Sequence, residues 1–169
     1  MKLLKSLFVL FVAVSIISCS SDDDNSTQYT LNNTNLSGTH SLTMLNSSST
    51  ETTNINGLDV VTVFTTVGDT FQVIVVFDED GTYVINGEYL VNYVTTVAGQ
   101  IVDEGSEIIV ITNETGDYTT NNALMEIELD GETYDVTLFN ANELRMVSED
   151  IYTDNDVDYL DTSEIRMTR

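Results

Sequence analysis

The fold of this chain is decided by one stretch at residues 123–139, ALMEIELDGETYDVTLF. Apolar and polar residues alternate in it, and Asp130-Gly131 interrupts the alternation. Such alternation is typical of a strand that buries one face, and Asp-Gly is favoured in a tight hairpin turn because both residues tolerate positive φ. The stretch therefore predicts a β-hairpin with strands at 123–129 and 132–139.

The same alternation recurs over most of the chain from Gly38 onward. Turn residues separate the alternating runs at Gly68-Asp69, Asp80-Gly81 and Asn140-Ala141-Asn142. Asn86-Gly87 is compatible with another turn, but we favour a bulge inside one long strand. The predicted strands cover 38–45, 58–67, 70–77, 82–95, 106–112, 123–129, 132–139, 143–149 and 162–168.

These strands predict an all-β fold. No segment has the periodicity of a substantial amphipathic helix, and eight or nine sequential antiparallel strands form an up-and-down barrel or a sandwich. We expect the barrel, because closure removes the exposed edges of an apolar sheet. Large side chains on the buried faces would fill its interior: Phe71, Phe77, Met125, Tyr134, Leu138 and Met146.

The N-terminus has the pattern of an exported protein. Two lysines precede an apolar run from Leu7 to Ile17, and Ser18 is a small residue in front of Cys19, the single cysteine of the chain. This is the architecture of a cleaved secretory signal, and the run is shorter than the ~20 residues that span a bilayer.

Ile16-Ile17-Ser18-Cys19 resembles the lipobox of bacterial lipoproteins, in which the cysteine is acylated and becomes the mature N-terminus. The resemblance implies removal of the signal peptide at residues 1–18 and membrane anchoring through several acyl chains on Cys19. A single acyl chain binds only marginally, whereas several chains anchor a protein firmly.

The residues after Cys19 resemble the acidic export signal of surface lipoproteins in the Bacteroidota. They are Ser20, Ser21, Asp22, Asp23 and Asp24. The resemblance implies an outer-membrane lipoprotein exposed at the cell surface, with a periplasm-facing protein as the alternative. Residues 19–35 are acidic and polar and predict a flexible tether, which leaves 36–169 as one domain.

The charge of the mature chain excludes several classes of partner. Three arginines and no lysine remain against 28 acidic residues, so its formal charge is 3 − 28 = −25, compared with −23 for the full chain. Nucleic-acid binding requires clustered Lys and Arg, and bare anionic head groups would repel this surface. Such a self-repelling protein is expected to be a monomer.

Residues 36–169 resemble lipocalin-like domains in four loose motifs. They are Leu36-Ser37-Gly38-Thr39-His40-Ser41-Leu42-Thr43, Phe77-x-x-Asp80-Gly81-Thr82-Tyr83, Gly116-Asp117-Tyr118, and Asn142 to Met146. The resemblance implies a small antiparallel barrel. The chain departs from that family because His40 occupies the position where a tryptophan is usual, and because no helix follows the last predicted strand.

His40 is the single histidine, so any histidine-based catalysis would pass through it. Its neighbours Thr39 and Ser41 point to the opposite face of a strand, so a catalytic triad would need a hydroxyl from elsewhere. We expect His40 to pack at the barrel end, under Arg166 of the closing strand, and the protein not to be an enzyme.

Acidic clusters at Asp78-Glu79-Asp80 and Asp103-Glu104 are expected to be solvated loop tips. The run Asp154, Asp156 and Asp158 has the alternation of a calcium loop, but Tyr159 and Ile165 stand where an EF-hand requires Gly and Glu. A looser calcium site in a loop at 150–161, with Asp161 as a further ligand, remains a weak candidate. No other cofactor is expected.

The sequence thus predicts a lipid-anchored module that binds a partner and catalyses nothing. A filled barrel interior favours an outer-membrane protein partner that contacts the acidic loops. The alternative is a lipocalin-like carrier with a small apolar ligand in the barrel. A carboxylate-based hydrolase is a distant third.

Overall fold

The computed structural model describes residues 29–169, which form an all-β barrel. Eight antiparallel strands follow one another around a closed ring, in which each strand pairs with the next and β8 pairs with β1. The predicted up-and-down barrel is therefore confirmed. The strands are β1 (Gly38–Ile55), β2 (Leu58–Phe77), β3 (Thr82–Val97), β4 (Gln100–Asn121), β5 (Glu126–Leu129), β6 (Glu132–Phe139), β7 (Glu143–Asp154) and β8 (Val157–Thr168).

Strand β2 is continuous where the sequence predicted two strands. Gly68-Asp69 is not a turn: Thr70 has a φ of 52°, and the pairing with β3 shifts between Asp69 and Gln72. The extra residue is a bulge, which glycine and aspartate permit inside a strand as readily as they permit a turn. Asn86-Gly87 lies inside the continuous strand β3, as the favoured prediction stated, but the extra residue of the bulge at this point belongs to β4, where the pairing shifts between Ile85 and Gly87 of β3.

Several strands are longer than predicted. Strand β4 has 22 residues instead of the seven at 106–112, and it includes Asp103-Glu104, which is therefore not a loop tip. Strands β7 and β8 extend until they meet at Asn155-Asp156, whose φ values of 49° and 65° form a two-residue hairpin turn. The predicted loop at 150–161 is wrong, since only this turn interrupts the two strands.

The hairpin of β5 and β6 is much shorter than its neighbours. Strand β5 has four residues and pairs with β4 only at Tyr118 to Asn121, and β6 pairs with β7 only up to Val147. Above the Asp130-Gly131 turn, residues 100–116 of β4 pair with β3 alone and residues 148–154 of β7 pair with β8 alone. We call these two unpaired edges the seam.

The remaining six strands continue above the turn as an open sheet, in the order β4-β3-β2-β1-β8-β7. The molecule is thus a barrel that is closed at one end and open along the seam at the other. The hydrophobic core occupies the closed end, where the largest fully buried side chains include Phe77, Phe139, Ile127, Leu144 and Met146.

The predicted interior is largely correct. Phe77, Tyr134 and Met146 are buried, and Phe71 and Met125 pack against the core. Leu138 is the exception, because a register shift between Val136 and Leu138 reverses the alternation and places Phe139 inside instead.

Residues 29–36 close the bottom of the barrel, so the predicted tether at 19–35 is too long. Tyr29 N–H donates to the Phe139 carbonyl at 3.1 Å, and Leu31 and Leu36 are completely buried. Leu36 is the last residue of the short helix α1 (Asn33–Leu36), whose N-terminus is capped because the Asn32 side chain accepts a 2.8 Å hydrogen bond from Asn35 N–H.

Candidate functional site

The inner face of the open sheet is the candidate site. In β3 the residues from Tyr83 to Val97 alternate without an insertion, so Tyr93 and Thr95 lie on the same face as the buried Tyr83 and Val91. In β8 the residues from Tyr159 to Met167 also alternate without an insertion, so Tyr159 lies on the same face as the buried Met167. This face therefore continues the barrel interior into the part of the sheet that is open to solvent.

The register places one residue of each strand in a level row across this face. The first row above the core is rich in hydroxyl groups. It consists of Gly105, Tyr93, Thr66, Ser47, Ser163 and Ser148. Two hydrogen bonds bridge neighbouring strands here, Ser47 to Thr66 at 2.7 Å and Ser148 to Ser163 at 2.8 Å.

Acidic and aromatic side chains dominate the next two rows. One consists of Asp103, Thr95, Phe64, Ser49, Asp161 and Asp150, and the other of Gln100, Val97, Thr62, Glu51, Tyr159 and Tyr152. The Tyr152 and Tyr159 rings stack at 4.8 Å with an interplanar angle of 9°. The inner face thus presents carboxylates beside flat aromatic surfaces.

Asp150 and Asp161 lie directly opposite each other on β7 and β8. Like charges in such a cross-strand pair repel. Tyr152 donates to one Asp161 oxygen at 3.2 Å, while the Oδ1 atom is buried and has no hydrogen-bond partner. The pair therefore holds negative charge that the surrounding side chains compensate only in part.

The arginines of residues 29–169 do not neutralise this face. Arg145 pairs with Glu143 at 2.5 Å, and Arg166 pairs with Glu164 at 2.6 Å. Both arginines alternate with buried residues and lie on the outer face, and Arg169 lies at the closed end. All charged side chains in the described rows of the inner face are therefore acidic.

A groove of about 790 Å³ lies where the β5–β6 turn meets β7 and β8. Its walls carry Asp130, Glu132, Glu149, Asp150 and Asp161 together with hydroxyl groups from Ser148 and Ser163. A space of this size and polarity suits a polar or cationic group better than an apolar ligand.

A second, smaller space lies inside the barrel between the core and the open sheet. It has a volume of about 120 Å³, and its walls are almost entirely apolar, with contributions from Leu45, Val73, Tyr89, Ile111 and Met167. Typical small-molecule pockets measure roughly 300–1,000 Å³, whereas a cavity of about 150 Å³ admits benzene. Only a small apolar group fits here.

His40 packs at the closed end, as predicted, and is 1% exposed. Its Nε2 lies 2.9 Å from the Leu36 carbonyl, to which it donates, and its ring meets Phe77 edge-on at 5.4 Å. Burial lowers the pKa of His40, while the Leu36 carbonyl opposes that shift. His40 is therefore a neutral packing residue far from the open face.

The arginine beside His40 is Arg169, so the prediction of Arg166 was wrong. Arg169 donates to the carbonyls of Asn35 and Ser37, and its Nε lies 3.4 Å from His40 Nε2. Arg166 lies on the outer face with Glu164 because the alternation of β8 buries Ile165 and Met167. These contacts at Arg169 fix the end of β8 to the helix that closes the barrel.

The calcium candidates do not converge. Asp154 accepts from Asn155 at 3.0 Å, and Asp158 accepts from Thr153 at 2.7 Å, across the β7–β8 turn. Within residues 29–169 no group of three or more His, Cys, Asp or Glu side chains is placed to hold a metal ion. The structure therefore does not assemble Asp154, Asp156 and Asp158 into a common site.

Cys19 and the export residues Ser20, Ser21 and Asp22 to Asp24 lie outside the described residues. Within 29–169, none of the helices has the length and apolar character to cross a membrane.

The sequence did not predict the seam or the three rows of side chains across the open sheet. The available signal was the spacing of turns, since only 18 residues separate Asn121 from Asn140, so both intervening strands must be short.

No protein-family model and no curated protein matches this chain. It is similar to the crystal structure of Ail, the attachment invasion locus protein of Yersinia pestis, at 9% identity and a TM-score of 0.23, over 79% of this chain and 99% of that chain. Ail in complex with the heparin analogue sucrose octasulfate is similar at 10% identity and the same TM-score and coverage. So low a TM-score carries no functional argument.

Proposed function

We propose that this chain is a non-catalytic binding module, held at the outer membrane and exposed at the cell surface by acyl chains on Cys19. One observation carries the binding role: the open sheet presents an acidic, hydroxyl-rich and aromatic inner face that no other described part of the chain covers. Tyrosine and phenylalanine are enriched at protein interfaces, and the carboxylates beside them are complementary to a positively charged partner.

The position of the N-terminal segment supports this arrangement. Tyr29 is fixed to Phe139 at the closed end, whereas the open sheet extends from the other end of the barrel. Nine residues lie between Cys19 and Tyr29, and the ten Cα–Cα steps from one to the other span at most about 35 Å when fully extended. Anchoring at Cys19 would hold the closed end near the membrane and direct the open sheet away from it.

The surroundings of His40 support the absence of catalysis. A general base must reach its substrate, yet His40 is sealed beneath the helix that closes the barrel, with Nε2 occupied by the Leu36 carbonyl. The carboxylates of the groove remain as the basis for a hydrolase, which we rank below binding because the groove lies open along the seam.

Anchoring is tested by labelling cells with an alkyne-bearing palmitate analogue. We expect incorporation into the wild-type protein and into Ser21→Ala, and none into Cys19→Ala, which should move to the soluble fraction. Protease treatment of intact cells should degrade the surface-exposed protein and spare a variant in which Asp22 to Asp24 are replaced by asparagine. Membrane retention of Cys19→Ala would contradict the anchor.

Binding is tested by placing a photo-crosslinking amino acid at Tyr152, on the open face, and at Asp135, an exposed residue on the outer surface of the short hairpin that does not line the groove. Irradiation of cells should give discrete adducts from position 152 and few or none from position 135. Equal patterns from both positions, or none from either, would contradict a binding role for the open face.

A carrier of a small apolar ligand is the second candidate, and the apolar cavity of about 120 Å³ favours it. Thermal unfolding in the presence of toluene tests this role. We expect stabilisation of the wild-type protein and none for Val73→Phe, which would fill the cavity. No stabilisation of the wild type would discard the carrier.

A further inference from the structure

We propose that the seam binds an extended peptide segment of a partner protein by strand addition, with basic residues of the peptide on the inner face and apolar residues on the outer face. This inference deepens the proposed binding function and rests on it. It assigns both the geometry of the contact and the chemistry of the partner.

The backbone of the seam supplies the first argument. Residues 100–116 of β4 pair on one side only, and at about 3.4 Å per residue they form an edge of roughly 55–60 Å. Each unpaired strand edge exposes N–H and C=O groups that can template another strand, and proteins manage such edges by shortening or covering them or by adding inward charges and bulges. The β4 edge is neither short nor covered, because the β5–β6 hairpin ends at Asp130-Gly131, and its inward carboxylates at Asp103 and Glu107 repel an acidic strand but not a basic one.

The outer face of the seam supplies the second argument. Ile108 and Val110 of β4 are each 65% exposed, and Ile151 on the opposite edge is 72% exposed. Ile108 and Val110 are alternate residues, so both point to the same face. Apolar side chains along an open edge favour a strand whose outward residues are also apolar.

The inner face of the seam has the opposite character. Asp103 and Glu107 lie on the inner face of β4, and Asp150 lies on that of β7. A strand added beside β4 would place its inward residues about 4.5–5.5 Å from Asp103 and Glu107, measured between the Cβ atoms of directly opposite residues. Lysine or arginine at those positions would meet the carboxylates, whereas acidic residues would be repelled.

The charge of the chain excludes two other occupants. A second copy of the mature chain carries a formal charge of 3 − 28 = −25, and the arginines of residues 29–169 are at 145, 166 and 169, away from the seam. The segment from Cys19 to Gln28 contains three aspartates and no basic residue. The occupant with complementary chemistry is therefore a strand from another protein that alternates basic and apolar residues.

The probe is a fluorescent nine-residue peptide of alternating Lys and Val, acetylated and amidated at its ends. Two controls are a Glu–Val peptide and a Lys–Val peptide with N-methylated backbone amides, which keeps the charge but cannot pair as a strand. By fluorescence anisotropy at 0.15 M salt, we expect the probe to bind at least tenfold tighter than either control. Equal binding of the N-methylated peptide would overturn strand addition.

Variants locate the contact. The double change Asp103→Asn and Glu107→Gln should weaken probe binding at least fivefold, while Glu126→Gln with Glu128→Gln on the outer face of β5 should leave it unchanged. Hydrogen exchange supplies a readout that needs no variant: amides within residues 100–116 should gain protection when the probe binds. Protection confined to other strands would overturn the proposal.

Two further outcomes separate this inference from the proposed function. Concentration-dependent dimerisation without peptide, with protection of the same amides, would assign the seam to a second copy and overturn the partner peptide. Failure of the probe together with discrete photo-adducts at position 152 would overturn strand addition and leave the binding function standing. If the probe does not bind and position 152 gives no adducts, both strand addition and the binding function are overturned.

Discussion

The Tyr83 hydroxyl donates a 2.5 Å hydrogen bond to Oδ2 of Asp130, and the two side chains meet above Gly116 of β4. A Cβ atom at Gly116 would lie 2.4 Å from the Asp130 carboxylate, so the contact depends on glycine at that position. The Asp117 N–H donates to Oδ1 at 2.8 Å. These bonds fasten the turn of the short hairpin to β4 at the point where the seam begins.

Replacement of Asp130 by asparagine should change how stability depends on pH. The hydrogen bond from Tyr83, and then that from Asp117 N–H, hold the pKa of Asp130 below its usual range. Because the folded pKa is the lower one, the carboxylate stabilises the fold above its unfolded pKa of about 3.9, and this contribution is lost as the pH falls through the folded pKa. We expect Asp130→Asn to lower Tm by a few degrees at pH 7 and by progressively less as the pH falls below the unfolded pKa and through the folded one.

Thermal melts from pH 2 to pH 7 would measure this difference. Asp135→Asn is the matched control, because Asp135 is an exposed residue of the same hairpin that alternates with the buried Tyr134 and Val136. An equal loss of Tm at both ends of the pH range would show that the Asp130 charge does not contribute.

His40 should produce a second dependence on pH, through protonation of the unfolded chain. Its folded pKa is lowered, chiefly by burial, so the unfolded chain binds the proton first. The neutral ring gives its full stability above a pH of about 6.5, and stability falls as the pH drops toward the folded pKa, by at most about 1.4 kcal/mol per pH unit. His40→Gln keeps a donor for the Leu36 carbonyl and should flatten this part of the profile.

Chemical denaturation between pH 4 and pH 7.5, with an NMR titration of the His40 ring, would measure the effect. A folded-state titration midpoint at or above the ordinary histidine value would contradict it. Arg169→Gln is a useful companion variant, since removing the neighbouring charge should move the ring's midpoint upward.

The sequence was sufficient for the fold class because alternation and turn chemistry are local. Asp80-Gly81, Asp130-Gly131 and Asn140 to Asn142 all lie at turns between strands, as predicted. The lengths of the strands, in contrast, depend on pairing with neighbouring strands and not on local sequence alone. The polar first half of β4 and the acidic ends of β7 and β8 are strands because their neighbours pair with them, which propensity alone does not report.

Bulges account for the errors within strands. Thr70 and Asn113 have φ values of 52° and 48°, and each adds one residue to its strand without any turn. One added residue moves every later side chain to the opposite face. The candidate site was missed for a related reason: the seam exists because β5 and β6 are short relative to their two neighbouring strands, β4 and β7, and that comparison requires the register.

The bulge in β6 can be tested by a pair of adjacent substitutions. Phe139 is fully buried, whereas Leu138 lies at the bulge and is only partly buried. We expect Phe139→Ala to lower the free energy of unfolding by about 3–5 kcal/mol and Leu138→Ala by about 1 kcal/mol. Urea denaturation would measure the loss for each variant. A larger loss for Leu138→Ala would mean that β6 alternates without a bulge and buries Leu138 instead of Phe139.

Gly87 should be the least replaceable glycine inside a strand. Its φ of 134° suits glycine, and a Cβ atom there would lie 2.0 Å from the Gln72 carbonyl oxygen. Gly57, at a hairpin turn, has a φ of 85° but no neighbouring atom within 4 Å of its Cβ position. Gly57→Ala should therefore cost only the left-handed backbone strain of about 1–2 kcal/mol, whereas Gly87→Ala adds a backbone collision for a total of about 2–5 kcal/mol. Urea denaturation of the two variants would measure the difference, and equal losses would mean that β2 moves aside freely at Gln72.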